Sequence, residues 1–294
     1  MPQPLRRKSL GFGAASRLTS NEYAQERRAA VRNTWGKGWT ADKEVIFSFY
    51  LHEDERSDSE ILLVHEERRE HDDIVVIRND DVGVALSTGQ AGVTQRVYLM
   101  MQHAQANYDM KFFMKADDDT YINIPVMLNA LRESVKDRFV YIGYRVRKTS
   151  RWDIAEEIRL AQAWLDDLGD QGEWAPNMSA AYMQGGAYIL SKEAVEAIVA
   201  VNHATGLRYL IDEDHTVGTW VSPMHLKYLT GEDIDVVFHP WGRNWDYLEE
   251  AKSYCVGTAT QLPVGWVHHL KTTKDMMDIH HLRETCEGME PASI

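Results

Sequence analysis

Apolar and polar positions alternate along this chain in blocks that change period. Val45-Ile46-Phe47-Ser48-Phe49-Tyr50 is a short, nearly continuous apolar run and reads as a strand. A charged connection, His52 to Glu60, leads into a helix over Ile61 to Arg69, and Asp73 through Ile77 forms the next strand. Val93, Val97, Met100, Met101 and Ala104 recur at helical spacing and mark an amphipathic helix. Phe112-Phe113-Met114 is another strand, and Pro125 sits where proline suits the first turn of a helix running through Val135. Phe139 to Tyr144 is again a strand. Strand and helix in strict alternation predict an α/β fold with a mostly parallel sheet.

The second half keeps the alternation less cleanly. Ile154 to Leu168 reads as a helix, and Ser191 is placed to cap a helix over Lys192 to Val201. Leu210 onward runs through an acidic cluster into a short helix carrying Trp220, and Val236-Val237-Phe238 is a late strand. Asn79 to Gly92 is a long polar loop of the kind that often serves function. Residues 1 to 20 show no periodicity and read as a disordered or stem-like lead. Helix signals then begin at Ser20-Asn21-Glu22 and run through Trp35, so residues 21–294 form the expected single domain.

Composition narrows the function little but usefully. The chain has 294 residues, enough for one large α/β domain. A net charge of -13 argues against nucleic acid as the main partner. No apolar run approaches the roughly 18 residues needed to span a bilayer, and the basic opening residues lack the apolar segment of a secretory signal. Any membrane attachment therefore requires an anchor absent from this sequence. The two cysteines, Cys255 and Cys286, are free thiols in a reducing compartment or one disulfide in an oxidising one. Asn177-Met178-Ser179 is a glycosylation sequon if the chain is secretory.

Candidate chemistry concentrates at the end of the Phe112 strand. Asp117-Asp118-Asp119 follows it, at the sheet edge where α/β proteins bind ligands. Adjacent carboxylates repel unless a cation or donors sit among them, and hard oxygen ligands suit Mg²⁺ or Mn²⁺ shared with substrate phosphates. A solvated acidic turn is the plain alternative. Arg27, Arg28 and Arg32 share one stretch of helix, as a solvated basic face or as donors to an anionic ligand. Gly185-Gly186 beside Tyr182 and Tyr188 marks a backbone approached closely by a ligand or another strand, or else a bulge. Glu213-Asp214 opens a helix as a second acidic site.

Several of these segments, in this order, resemble the β-1,3-galactosyltransferase and N-acetylglucosaminyltransferase family, family 31 of the inverting glycosyltransferases. Arg27-Arg28-Ala29-Ala30-Val31-Arg32-Asn33-Thr34-Trp35-Gly36 fits the family's opening motif. Asp73-Ile74-Val75, Lys115 through Asn123, Tyr141-Ile142-Gly143, Tyr182 through Ser191, and Glu213 through Gly218 fit its later ones. The stretch Val217 to Pro223 and the tail around Cys255, His268-His269, Asp275-Met276 and Cys286 are similar to the subgroup that builds the proteoglycan linkage region. Ser48-Phe49-Tyr50, His71 and Arg96 depart from the family pattern near the substrate edges.

The resemblance implies a GT-A-type, Rossmann-like sheet with flanking helices, a UDP-sugar donor, Mn²⁺ or Mg²⁺ as cofactor, and an acceptor glycan or glycoprotein. It implies a galactosyl or N-acetylhexosaminyl transfer with β-1,3 linkage in the Golgi lumen, and a Cys255–Cys286 disulfide. Asp119 is the implied metal ligand, joined by Asp117, which otherwise contacts ribose, and by His269, with His268 its rival. Asp118 is implied to bond the nucleoside, and Arg28 and Arg32 to hold the nucleotide end. Gly185 and Gly186 are implied to admit the sugar, with Tyr182, Trp152 or Trp220 stacking on it. The base is Asp214, with Glu213 the alternative or either acid a helix cap. Two readings from other classes are a dehalogenase-like phosphatase, which also places Asp-x-Asp after a strand, and an inactive glycan-binding protein on the same fold.

Overall fold

The computed structural model describes residues 6–7, 10–15, 22–37, 44–52, 58–77, 90–146, 181–205, 213–239, 263–270 and 272–287, and structural statements below concern these. In chain order the elements are β1 (Arg6–Arg7), β2 (Leu10–Ala15), α1 (Glu22–Asn33), β3 (Val45–His52), α2 (Asp58–His71), β4 (Ile74–Ile77) and α3 (Gln90–Asn107). There follow β5 (Tyr108–Asp109), β6 (Phe112–Asp117), β7 (Tyr121–Ile122), α4 (Ile124–Ser134), β8 (Val140–Val146), β9 (Tyr182–Ser191) and α5 (Lys192–Thr205). The last elements are α6 (Glu213–Val221), β10 (Lys227–Leu229), β11 (Val237–His239), β12 (Val264–Val267) and α7 (Thr273–Glu287).

Seven strands form the main sheet in the order β10-β8-β9-β6-β2-β3-β4. All neighbours run parallel except β9, which is antiparallel to both β6 and β8. The mostly parallel sheet is therefore as expected, with one reversed strand beside β6. That reversal matters for the site, because the start of β9 lies at the same sheet edge as the ends of β6 and β8.

β6 shows how sequence period becomes layers. Successive side chains alternate faces. Met114 and Ala116 enter one apolar cluster, with Trp35 of the α1 turn, Phe47 and Phe49 of β3, Met127 of α4 and Met276 of α7. Phe113 enters the other, with Tyr98 and Met100 of α3, Ile198 of α5 and Trp220 of α6. Lys115 lies on the Phe113 side and is 2% exposed. Asn123 opens α4, its side chain accepting the Val126 N–H at 3.4 Å, with Pro125 in the first turn.

The lead is corrected. Leu10–Ala15 is a strand in the middle of the sheet, in parallel register with β3 on one side and β6 on the other. Its sequence, Leu-Gly-Phe-Gly-Ala-Ala, has small residues where a strand pattern would show branched ones, which hid it. Ser191 belongs to β9 and its hydroxyl accepts the Val140 N–H at 3.1 Å. The expected helix over Ile154 to Leu168, Trp152, the Asn177 sequon and Cys255 lie outside the described residues, as does the side chain of Cys286.

Candidate active site

The acid loop is a tight turn closed by the Thr120 N–H donating to the Asp117 carbonyl at 3.1 Å. β7 begins immediately after it and pairs antiparallel with β12, Ile122 opposite Trp266 and Tyr121 opposite Val267. Continued by two residues, that register carries His268 and His269 to Thr120 and Asp119. The Leu270 N–H then donates to the Asp119 carbonyl at 2.9 Å, and the His268 N–H to His239 at 3.0 Å. Residues nearly 150 positions apart in sequence thus meet through a two-residue strand.

The carboxylate of Asp119 and both imidazoles form one cluster, with a ligand atom of each within 4.8 Å of the others. His268 Nε2 lies 3.3 Å from Asp119 Oδ1 and 3.5 Å from Asp117 Oδ2, and His269 Nδ1 lies 4.0 Å from Asp119 Oδ2. The two rings stack, and His269 takes a left-handed backbone, φ 66°. Buried Asp119 Oδ1 accepts no hydrogen bond. Such an oxygen is costly unless something electropositive completes it. Burial lowers the basicity of His268, but its close contacts with the carboxylates of Asp117 and Asp119 outweigh that and raise it to about 9. A divalent cation needs the same acids and neutral imidazoles. Carboxylate with imidazole suits Mn²⁺, so these residues fit the implied ion. His268 therefore stands beside His269 in the cluster.

Behind this cluster lies a buried lock. Lys115 Nζ donates to Asp117 Oδ1 at 2.7 Å and to the Gly185 carbonyl at 2.5 Å, and lies 3.2 Å from Glu213 Oε2. The Tyr188 hydroxyl donates to Glu213 Oε1. Burial pushes the Glu213 carboxyl up to about 7, against the opposing charge of Lys115. Asp117 is held below the usual carboxylate range, because Lys115 and His268 outweigh its burial.

Asp214, the next residue, faces the other way. It lines a cleft of about 470 Å³ together with Asp117, Tyr144, Arg145, Tyr182, Gly185, Gly186 and His268. Its Oδ2 accepts the Gly185 N–H at 3.1 Å and its Oδ1 the His215 N–H at 2.8 Å. His268 of that cluster and Asp214 therefore border one cleft, while Glu213 sits behind its wall at 8% exposure.

Other expected roles are redistributed. Arg28 is fully buried and clamps Glu67 of α2 from Nε at 2.8 Å and Nη2 at 2.5 Å. Arg32 forks onto Asp73 at 2.7 and 2.8 Å and reaches Glu67 at 2.7 Å. Both arginines join α1 to α2 and β4 and are not placed to hold a nucleotide. Of the three helix arginines, Arg27 is the one at the acid turn: its Nη1 lies 3.0 Å from Asp118 Oδ1 and 3.7 Å from Asp119 Oδ2. Asp118, 2% exposed, is taken up by that pairing rather than presented to a nucleoside. Gly185 and Gly186 line the cleft, but an added Cβ at Gly186 would sit 2.2 Å from His268 Cγ and one at Gly185 3.3 Å from Glu213 Oε2. These glycines first admit protein side chains. Trp220 is a core residue, 4% exposed against Tyr98, leaving Tyr182 and Tyr144 as the tyrosines of the cleft among the described residues.

The mostly parallel α/β sheet thus carries an acid–histidine cluster able to hold a divalent cation, and one of its histidines, His268, shares a cleft with a second carboxylate, Asp214. The family model of galactosyltransferases matches residues 26–231, and the chain belongs to that family. Mouse beta-1,3-galactosyltransferase 6 is 28% identical over 245 residues, covering 79% of this chain and 66% of that protein. Human N-acetyllactosaminide beta-1,3-N-acetylglucosaminyltransferase 4 is 26% identical over 219 residues, covering 68% of this chain and 50% of that protein. The chain thus spans about two thirds of the one and half of the other. Among solved structures, the mannosyltransferase PcManGT from Pyrobaculum calidifontis, in complex with GDP-Man and Mn2+, has a TM-score of 0.43 at 12% identity, covering 97% of this chain and 72% of that one.

Proposed function

We propose that this protein transfers galactose from UDP-galactose to the 3-hydroxyl of an acceptor glycan, with inversion to a β linkage. The observation that carries this reading is the shared cleft: it is lined by Asp117, Asp214 and His268, and His268 clusters with Asp119 and His269. Neutralising the leaving diphosphate is the chemistry that Mn²⁺ or Mg²⁺ supplies when bound by those residues. Asp214 takes the proton from the acceptor hydroxyl. Its two backbone hydrogen bonds hold the carboxylate in place. Arg27 holds the acid turn against α1, and Lys115 ties that turn to β9 and α6. The family and the mouse relative support galactose as the sugar. The human relative favours a second donor, UDP-N-acetylglucosamine, on the same chemistry. Among the described residues no helix is long and apolar enough to cross a membrane. The Golgi lumen is the proposed location.

The test is a Mn²⁺-supported comparison of UDP-galactose, UDP-N-acetylglucosamine and UDP-N-acetylgalactosamine for hydrolysis and transfer. UDP release should be fastest from UDP-galactose, stop with chelator, and be lost in Asp119→Ala at unchanged melting temperature. Metal-independent release, or full turnover in Asp119→Ala, refutes the metal assignment. Release of phosphate from simple esters would instead support the phosphatase class.

A further inference from the structure

One cation in the cleft has no part in the metal cluster or the proton transfer. Arg145 lies near the end of β8 and lines the cleft. Its Nε is buried and donates to nothing. Its guanidinium lies over the Tyr228 ring of β10, 4.9 Å from the centroid. Asp233, whose ionisation Arg145 favours, spends its carboxylate on the Thr230 N–H at 2.7 Å and hydroxyl at 2.8 Å. Among the described residues no carboxylate pairs with Arg145, in a chain whose net charge is -13. A buried donor left unmade is costly, so a ligand that completes it gains by that amount.

β9 acts as a ruler for where that ligand sits. Gly186 packs on His268 at the metal end, and the Gly185 N–H anchors Asp214. Met183 is registered opposite Arg145. At roughly 3.3 Å per residue the step from Gly186 to Met183 is about 10 Å. The order along the strand is therefore metal cluster, base, arginine. Arg145 lies past the base, on the side away from the metal cluster, beside Tyr144 and Tyr182. That is where the acceptor must stand for its hydroxyl to meet Asp214. A planar fork fixed over an aromatic ring matches carboxylate or phosphate oxygens in pairs.

We propose that Arg145 forms an anion subsite for the acceptor, so that the preferred acceptor glycan carries a carboxylate or phosphate ester close to the reacting sugar. This rests on the glycosyl-transfer reading above. The test titrates the full chain, with Mn²⁺ and UDP, against methyl β-glucoside, methyl β-glucuronide and the 6-phosphate of methyl β-glucoside, followed by NMR. One or both anionic sugars should bind about tenfold tighter than the neutral one, as expected for a charge-assisted pair, and the stronger of the two identifies the anion. Arg145→Gln should erase that preference, and Arg145→Lys should retain only part of it. Equal binding of all three sugars by the wild type overturns the proposal. So does a preference that survives in Arg145→Gln while circular dichroism and melting show that variant folded. If Arg145→Gln does not fold, an undiminished preference in Arg145→Lys overturns the fork geometry. Donor hydrolysis by the wild type separates the two readings: hydrolysis without anion preference removes this inference alone, and no hydrolysis of any donor removes the transferase reading.

Discussion

Gly186 and His268 share a space that admits only a hydrogen atom. An alanine methyl there would meet the imidazole at 2.2 to 2.7 Å, and the ring must swing away from Asp119 to avoid it. Gly186→Ala should therefore weaken Mn²⁺ binding by about 10–100-fold, the usual cost of disturbing a ligand's support, readable by Mn²⁺ resonance titration. Unchanged affinity would show that His268 does not hold the ion. Asp214→Asn keeps the shape and the Gly185 hydrogen-bond partner but cannot take a proton. Transfer should fall by roughly 10²–10⁴ with donor affinity unchanged; a parallel loss of donor affinity would make Asp214 a structural cap. The placement of Asp119 just past a strand end and of Asp214 at a helix start was legible in the sequence because contiguous acids at such ends are local patterns. Arg28 and Arg32 were misread because Glu67 and Asp73, their partners, lie 35 to 41 residues away. Neither spacing nor residue type distinguished Arg27 from them.

Between elements, the joints are short and polar. β7 and β12 are so brief that no period could reveal them, yet their pairing delivers both histidines. The sheet's alternating half was legible, since its strands and helices are long enough to show their periods. The lock between β6, β9 and α6 was not, because it depends on Lys115 being buried against Glu213 and Tyr188. That lock carries a pH signature. Glu213 is raised from 4.5 to about 7, so between those values the native state holds a proton the unfolded chain has lost. Its contribution is fully present below pH 4.5 and is lost as pH rises through 7, by at most about 3 kcal/mol. Glu213→Gln stays neutral throughout, so urea unfolding at pH 5 and pH 7.5 should differ less in the variant than in the wild type. An identical difference in both proteins would mean Glu213 does not titrate in that window.

At the scale of the molecule, the sheet is assembled around its first long strand. β2 supplies one full edge of hydrogen bonds to β3 and the other to β6, six registered residues on each side. β6 ends in the acid turn, so the metal cluster depends on a strand that arrives more than a hundred residues earlier. Removing residues 1–20 would leave β3 and β6 facing across a strand-wide gap, with both inner edges unpaired and no neighbouring element able to close it. Each buried backbone group left without a partner costs about 1–3 kcal/mol, and a folded domain retains only about 5–15 kcal/mol in total. A chain of residues 21–294 should accordingly lack a cooperative melting transition and bind no Mn²⁺, measured by circular dichroism and calorimetry on the purified protein. Adding back a peptide spanning residues 6–17 tests the cause, because a missing strand can be supplied in trans along the edge it vacated. Recovery of a melting transition with the peptide would assign the defect to β2. A truncated chain that melts within a few degrees of the full one would show instead that β3 and β6 tolerate the gap, and that the first twenty residues are the dispensable lead their sequence resembles.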